Sequence, residues 1–201
     1  MIASLLFAGL SLICSSQFSI GPKLLLLNQK EPTPIAVGGG LKMGVKVGSQ
    51  WYLSVSGGTT LKERENVDRT WGDPRALASG GVPQRNVGRI FHQRQIILFS
   101  AEWRSKDQSD DDHWAIGLGA GYHRYQRDVD LDITLLATGL THRNTYSAVD
   151  PSFIILPYAG WRAPLLNGEF FADAGAMLPS LRFAKDLLPI LRTGFIWPLG
   201  G

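Results

Sequence analysis

The sequence predicts an all-β fold, an antiparallel up-and-down barrel of about eight strands, and three observations predict it. From Ile35 onward apolar residues recur with a period of two, the strand period. The 23 glycines lie inside the apolar stretches as well as between them. Beyond the N-terminus no stretch reaches the ~20 apolar residues of a membrane helix, and none shows helical periodicity. Mean hydropathy is zero, so the arrangement of apolar residues carries the information rather than their number. A net charge of +3, without a basic cluster interleaved with aromatics, argues against a nucleic-acid partner.

The elements follow in chain order. Residues 2–13 form an apolar run followed by Cys14-Ser15-Ser16, the pattern of a secretory signal peptide cleaved after Ser16. The expected organisation is a signal peptide over 1–16, an N-terminal segment over 17–34 and a barrel over 35–201. Cys14 is the only cysteine, so the mature chain would hold no disulfide, no cysteine metal site and no cysteine nucleophile. Leu41, Met43, Val45 and Val47 alternate with Lys42, Gly44, Lys46 and Gly48, and Trp51, Leu53 and Val55 continue the pattern. Phe91, Ile97, Phe99 and Trp103 share one face of the next strand, opposite His92, Arg94 and Glu102. Trp114, Ile116, Leu118, Ala120 and Tyr122 stand against three glycines and His123, and Val129, Leu131, Ile133, Leu135 and Ala137 follow. Residues 153–162, 169–178 and 187–199 complete the count.

Directly opposed residues of antiparallel neighbours must point to the same side of a sheet. A turn at Arg127-Asp128 would put Tyr122 opposite Ile133, and His123 opposite Asp132. A turn over residues 164–167 would put Trp161 opposite Phe170 and Arg162 opposite Glu169. A loop of Gly48-Ser49-Gln50 would set Val47 opposite Trp51. All three hairpins keep apolar residues with apolar ones.

Alternation alone fits either a membrane barrel, apolar outside, or a soluble lipocalin-like barrel that binds a hydrophobic ligand inside. Two features favour the membrane. Glycines beside charges of both signs on the polar face suit a crowded lumen, and the aromatics fall at strand ends. Threading the chain from the periplasm at Ile35 places Trp51, Trp103, Trp114 and Phe153 near an outer rim. Tyr122, Trp161, Phe170 and Trp197 then come near an inner rim, as two interfacial girdles. One connection resists this threading: residues 62–87 would be the longest loop and yet periplasmic. Turn signals such as Trp71-Gly72-Asp73-Pro74 mark it.

Over roughly residues 35–199 the pattern resembles the small outer-membrane β-barrels of the OmpA, OmpX and OmpW types, by architecture rather than by a family motif. The resemblance implies a place in a bacterial outer membrane, with outer-membrane lipid and the barrel-insertion machinery as partners. It implies a structural, surface-interaction or narrow-pore role, or alternatively a lipid-modifying enzyme, an acyltransferase or deacylase.

The chemistry of the predicted lumen favours charge pairing over catalysis. His123 with Asp132 is the best catalytic dyad the sequence offers, but this threading sets it at the inner end, away from the outer leaflet. His113 near the outer rim has Asp110 to Asp112 beside it and no evident serine partner. The plainer expectation is that His123 with Asp132, and Arg162 with Glu169, pair across a narrow lumen. Residues 106–112 are acidic but lack the spacing of a calcium loop, so neither a metal nor a cofactor is expected.

Overall fold

The computed structural model describes residues 18–28, 34–71, 83–105, 111–178 and 187–199. They form nine strands: β1 (Phe18–Asn28), β2 (Ile35–Val47), β3 (Trp51–Thr60), β4 (Glu63–Trp71), β5 (Gln84–Arg104), β6 (His113–Leu135), β7 (Thr141–Leu165), β8 (Gly168–Met177) and β9 (Leu188–Leu199). All pairings are antiparallel, in the order β3-β2-β1-β9-β8-β7-β6-β5-β4, and a further pairing of β3 with β5 closes the ring. β3 opposes residues 95–103 of β5, and β4 opposes residues 84–92 of the same strand. Between Thr59↔Gln95 and Glu63↔His92 the first chain has one residue more than its partner. That is a bulge in a single crossing. The barrel therefore has eight crossings, as the periodicity predicts.

The exterior is apolar, and the interior holds the buried charged side chains. Leu118, on the outside, is 56% exposed, whereas Lys42, on the inside, is 3% exposed. Leu41, Met43, Leu53, Ile97, Phe99, Ile116, Phe153 and Leu191 are likewise exposed. His123, Glu102, Arg162, Asp173 and Arg192 are buried. A soluble ligand-carrying barrel would reverse these faces. The narrow ring needs sharp local bending: a Cβ on Gly40 would fall 2.0 Å from the Gly57 carbonyl oxygen, and one on Gly121 would fall 2.0 Å from that of Ile97. Only glycine allows so close an approach of neighbouring strands.

Three expectations are corrected. The barrel begins at Phe18 rather than Ile35, because β1 pairs with both β2 and β9. Its Leu24-Leu25-Leu26-Leu27 run hides the alternation, since Leu25 and Leu27 point into the lumen while Leu24 points outward. Second, no turn exists at Arg127-Asp128. β6 runs unbroken for 23 residues, and the chain reverses over residues 136–140. Tyr122 therefore faces Phe153, Ala120 faces Ile155 and Ile133 faces His142. The polar pair marks the level at which a strand leaves the apolar belt, and in sequence that looks like a turn. Third, the β7–β8 register lies two residues from the expected one, with Trp161 opposite Ala172 and Ala163 opposite Phe170. A slip of two residues preserves the faces. The first hairpin pairs as expected, with Val47 opposite Trp51.

The additional crossing β1 also inverts the threading of the first half of the chain. The turn at 48–50, Arg104 and His113 lie at the end that carries Phe18 and Leu199, and Trp71 lies at the opposite end. The supposed long periplasmic loop is therefore largely strand: β4, and the first residues of β5, account for most of its described part. Residues 142–150, polar in sequence, are strand as well, within β7. The signal peptide with Cys14, and most of the acidic segment 106–112, lie outside the described residues.

β7 turns into β8 through Leu166 (φ 48°) and Asn167 (φ 59°), a two-residue turn with both residues left-handed. Asparagine tolerates that region, but a leucine there costs about 1–2 kcal/mol. Leu166 is also solvent-exposed, so nothing in packing offsets the strain. Leu166→Asn should therefore raise the free energy of unfolding in urea by about 1 kcal/mol; an unchanged midpoint would show that the turn is not strained.

Candidate functional site

The lumen is built in layers, and each side chain's place follows from the register. Towards the end carrying the termini, Glu102, Gly117 and Tyr158 stand side by side on β5, β6 and β7. Because Gly117 has no side chain, the Tyr158 ring lies across it. Its hydroxyl donates to Glu102 Oε2 at 3.2 Å, two strands away. Arg162 is the node of this layer. Its Nε donates to Glu102 Oε1 at 3.1 Å, its Nη2 to Glu102 Oε2, and its Nη1 to Asp173 Oδ1 at 2.6 Å. Arg192 Nη2 donates to Asp173 Oδ2 at 3.0 Å. Arg104, one layer nearer the mouth, donates to Glu102 Oε1 at 3.0 Å and forms a bidentate pair with Glu169 at 2.8 and 3.0 Å. Lys42 Nζ lies 3.5 Å from Glu102 Oε2 and 4.6 Å from the centre of the Phe171 ring.

Above this layer Leu25, Leu27, Ala36, Ile96, Leu98, Ile154, Leu156, Met177 and Ile190 meet in an apolar cluster that fills the bore. Above that again comes a second polar layer. His123 Nδ1 lies 3.2 Å from Ser152 Oγ, and its Nε2 lies 3.3 Å from Arg94 Nη1. His92 Nε2 lies 3.1 Å from Glu65 Oε2, and its Nδ1 lies 2.5 Å from the Tyr125 hydroxyl.

The His123–Ser152 contact has the look of a nucleophile and its base, yet proton placement opposes that role. Arg94 can only donate, so Nε2 of His123 must present its lone pair, and the ring proton sits on Nδ1, donating to Ser152 Oγ. A histidine in that tautomer cannot take the serine proton. A positive charge beside the ring also disfavours the imidazolium that general-base catalysis would form, where a triad places a carboxylate.

The residues singled out from sequence separate as follows. Asp132 does not meet His123. It stands opposite Arg143, on the outer face of β6 well beyond the barrel's bore. The expected pair fails because it rested on the turn at Arg127-Asp128. Asp130 is on that outer face too and accepts both bonds of a bidentate pair from Arg143 at 2.8 Å. Arg162 Nε lies 3.8 Å from Glu169 Oε1, although Glu169's closest partner is Arg104. His113 is buried near the terminal end of β6, its Nδ1 3.3 Å from the Asp111 carbonyl oxygen. Of the expected girdle residues, Trp51 faces Trp103, Trp114 faces Trp161, and Trp197 faces Ile20, all at the end carrying the termini. Phe170 packs edge-on against Trp161 there, with ring centres 6.4 Å apart. Tyr122 and Phe153 face each other farther along. The two expected rims are thus regrouped, with six aromatics at one end, because the uncounted strand β1 reverses the early crossings. Lys23 escaped sequence reasoning, although a lone lysine before four leucines marks the inward face of a strand.

Past Tyr122 and Phe153, strands β4, β5, β6 and β7 continue as a four-stranded sheet at the end opposite the termini. Its outer face is a grid of ion pairs. Arg85 holds Asp68 through two bonds of 2.9 Å. Asp128 accepts from Gln126 Nε2 (2.9 Å), Lys62 Nζ (2.6 Å) and Ser147 Oγ (2.8 Å), tying β6 to β7 and to the bulge between β3 and β4.

No protein-family model and no curated protein matches the chain. Among solved structures it is similar to Ail, the attachment invasion locus protein of Yersinia pestis, seen in complex with the heparin analogue sucrose octasulfate. Identity is 13% over 92% of this chain and 97% of that one, with a TM-score of 0.45. It is similar to the N-terminal β-barrel domain of Pseudomonas aeruginosa OprF, at 12% identity over 91% and 100% of the two chains, TM-score 0.47. It is also similar to Neisserial surface protein A, at 11% identity over 92% and 97%, TM-score 0.46. The closed, eight-crossing, up-and-down ring with an apolar exterior is the architecture of the small outer-membrane barrel class.

Two tests follow from this geometry. Glu102→Gln leaves Arg162, Arg104 and Lys42 without their shared carboxylate, and removing one partner of a buried ion pair costs about 3–5 kcal/mol. The variant should unfold at markedly lower urea than the parent; equal midpoints would show that the node contributes nothing to stability. The bonds from Gln126, Lys62 and Ser147 hold the Asp128 carboxyl down at about 2, below its ordinary 3.8. Their contribution is complete above the ordinary value and fades as pH falls through about 2. A carboxyl-detected NMR titration should place the Asp128 midpoint there and show it rising in Lys62→Met; a midpoint in the ordinary range for the parent would disprove the clamp.

Proposed function

We propose that this protein is a bacterial outer-membrane barrel that does not conduct and presents its long four-stranded sheet to the cell exterior for surface interaction. The observation that carries this reading is the length of β5, β6 and β7, at 21, 23 and 25 residues, against 10–13 for β1, β2, β8 and β9. A tilted strand needs only about 9–11 residues to cross the hydrocarbon. The short strands are long enough for the crossing, and the surplus on the long ones stands clear of it. The apolar exterior suits lipid, and closure leaves no sheet edge within it.

Two features argue for surface contact over transport. The apolar cluster from Leu25 to Ile190 packs across the bore, and the buried ion-paired layer lies beneath it. The projecting sheet, by contrast, continues the lumen wall with exposed Trp71 and Tyr146 beside the half-buried Leu131 and Ile133, a surface with affinity to spare. Its opposite face already satisfies its own charges.

The orientation is tested with single cysteines in the cleaved chain. Thr138→Cys, in the turn at the far end of β6, should react on intact cells with a membrane-impermeant maleimide. Ser49→Cys, in a turn at the end of the termini, should react only after lysis. The purified barrel should show heat-modifiable migration and no conductance steps in planar bilayers. Labelling of Ser49→Cys on intact cells, or steady conductance, would overturn the proposal.

A further inference from the structure

The lower lumen contains more buried positive charge than its carboxylates can balance. Lys23, Lys42, Arg162 and Arg192 share the layer of the node with only Glu102 and Asp173, and all six are at most 5% exposed. The bonds described above already engage every carboxylate oxygen of those two acids. Among the described residues, three buried donors have no hydrogen-bond partner: Arg192 Nε, Ser56 Oγ and Lys42 Nζ, the last held only by the longer ion pair of 3.5 Å to Glu102 Oε2. Lys23 stands in the same part of the wall: it is 5% exposed, and its Cε lies 3.3 Å from where a Cβ on Gly58 would stand.

These groups belong to one region of the wall. Ser56 is directly opposite Lys42 on β3 and β2. Lys23 is opposite Gly40, and Gly40 is opposite Gly58, so two side-chain-free positions face the lumen beside the ammonium groups. Arg192 is opposite Leu25, two residues along β1 from Lys23. Buried positive charge in excess of its carboxylates is costly, and the apolar cluster closes the lumen above it.

We propose that this layer holds one buried monovalent inorganic anion of the halide class, coordinated by Lys23, Lys42, Ser56 and Arg192. Ammonium groups, a hydroxyl and a guanidinium Nε each donate singly, which suits a small spherical anion better than a planar carboxylate. The remaining positive charge rests against aromatic faces: Lys42 lies over Phe171 at 4.6 Å, and Arg192 over Tyr158 at 4.3 Å. This inference goes beyond the proposed surface role and does not depend on which way the barrel crosses a membrane.

The test uses the barrel refolded in zwitterionic detergent and exchanged into gluconate. Adding chloride or bromide at constant ionic strength should divide the unfolding constant by one plus the ratio of halide to its dissociation constant, about elevenfold at ten times that constant. Sulfate should give no such decrease. Lys42→Met should lose the halide response, and Lys46→Met, at the mouth, should keep it. Crystals grown with bromide should show an anomalous peak within hydrogen-bonding distance of Lys42 Nζ, which decides the matter even if Lys42→Met fails to fold. Unfolding that is the same in halide and gluconate, with no bromide peak, would overturn the proposal and assign the excess lysines to their neutral form. The same decrease produced by sulfate in place of halide would overturn it as well.

Discussion

A sheet with an apolar outer face cannot keep an open edge within that face, because unpaired amides and carbonyls there would find neither water nor a partner. Closure of β1 onto β9, and of β3 onto β5, removes both edges. The rest of the architecture follows from that constraint. Eight crossings enclose a bore only wide enough for side chains. Curvature that tight needs glycines such as Gly40 and Gly121, where a Cβ would strike the next strand. What points inward must then pack or pair, since bulk water has no room.

The lumen meets that demand by separating its polar and apolar contents. Charged groups gather around Arg162 near the termini, where the planar guanidinium divides its bonds between Glu102 and Asp173 and so couples β5, β7 and β8. The aliphatic cluster above needs no partners and seals the bore by packing alone. A network of this kind adds less to stability than its number of bonds suggests, because each ion gives up hydration. It does fix the register: slipping any of the three strands would strand a buried charge.

Beyond the apolar belt the same alternation serves another purpose. β4 to β7 keep pairing with no closed ring to require it, and their outer face exchanges aliphatic side chains for Arg–Asp pairs. Exposed pairs of this kind contribute little individually. Here they cross strands, as Lys62 does in reaching over Phe91 to Asp128, and so stiffen a sheet that stands in water. Charged residues on an exposed sheet also discourage unwanted edge pairing with other chains.

The sequence by itself determined the period and the division of each strand into two faces, because both are set by local alternation: Leu41, Met43 and Val45 stand against Lys42 and Gly44. The side that meets the exterior followed only once the luminal glycines and strand-end aromatics were added, and the count of eight agrees because the missed β1 offsets β6, which reads as two strands. The sequence could not locate β1, whose leucines are apolar on both sides, the outer row meeting the exterior and the inner row entering the luminal cluster. Nor could it separate a polar strand in water from a loop, so Arg127-Asp128 looked like a turn and residues 62–87 like a loop. Tertiary structure alone decided the threading, the regrouped aromatics and the partners of His123 and Asp132. A pairing partner is fixed by where a distant strand closes the ring, and no period within one strand contains that distance.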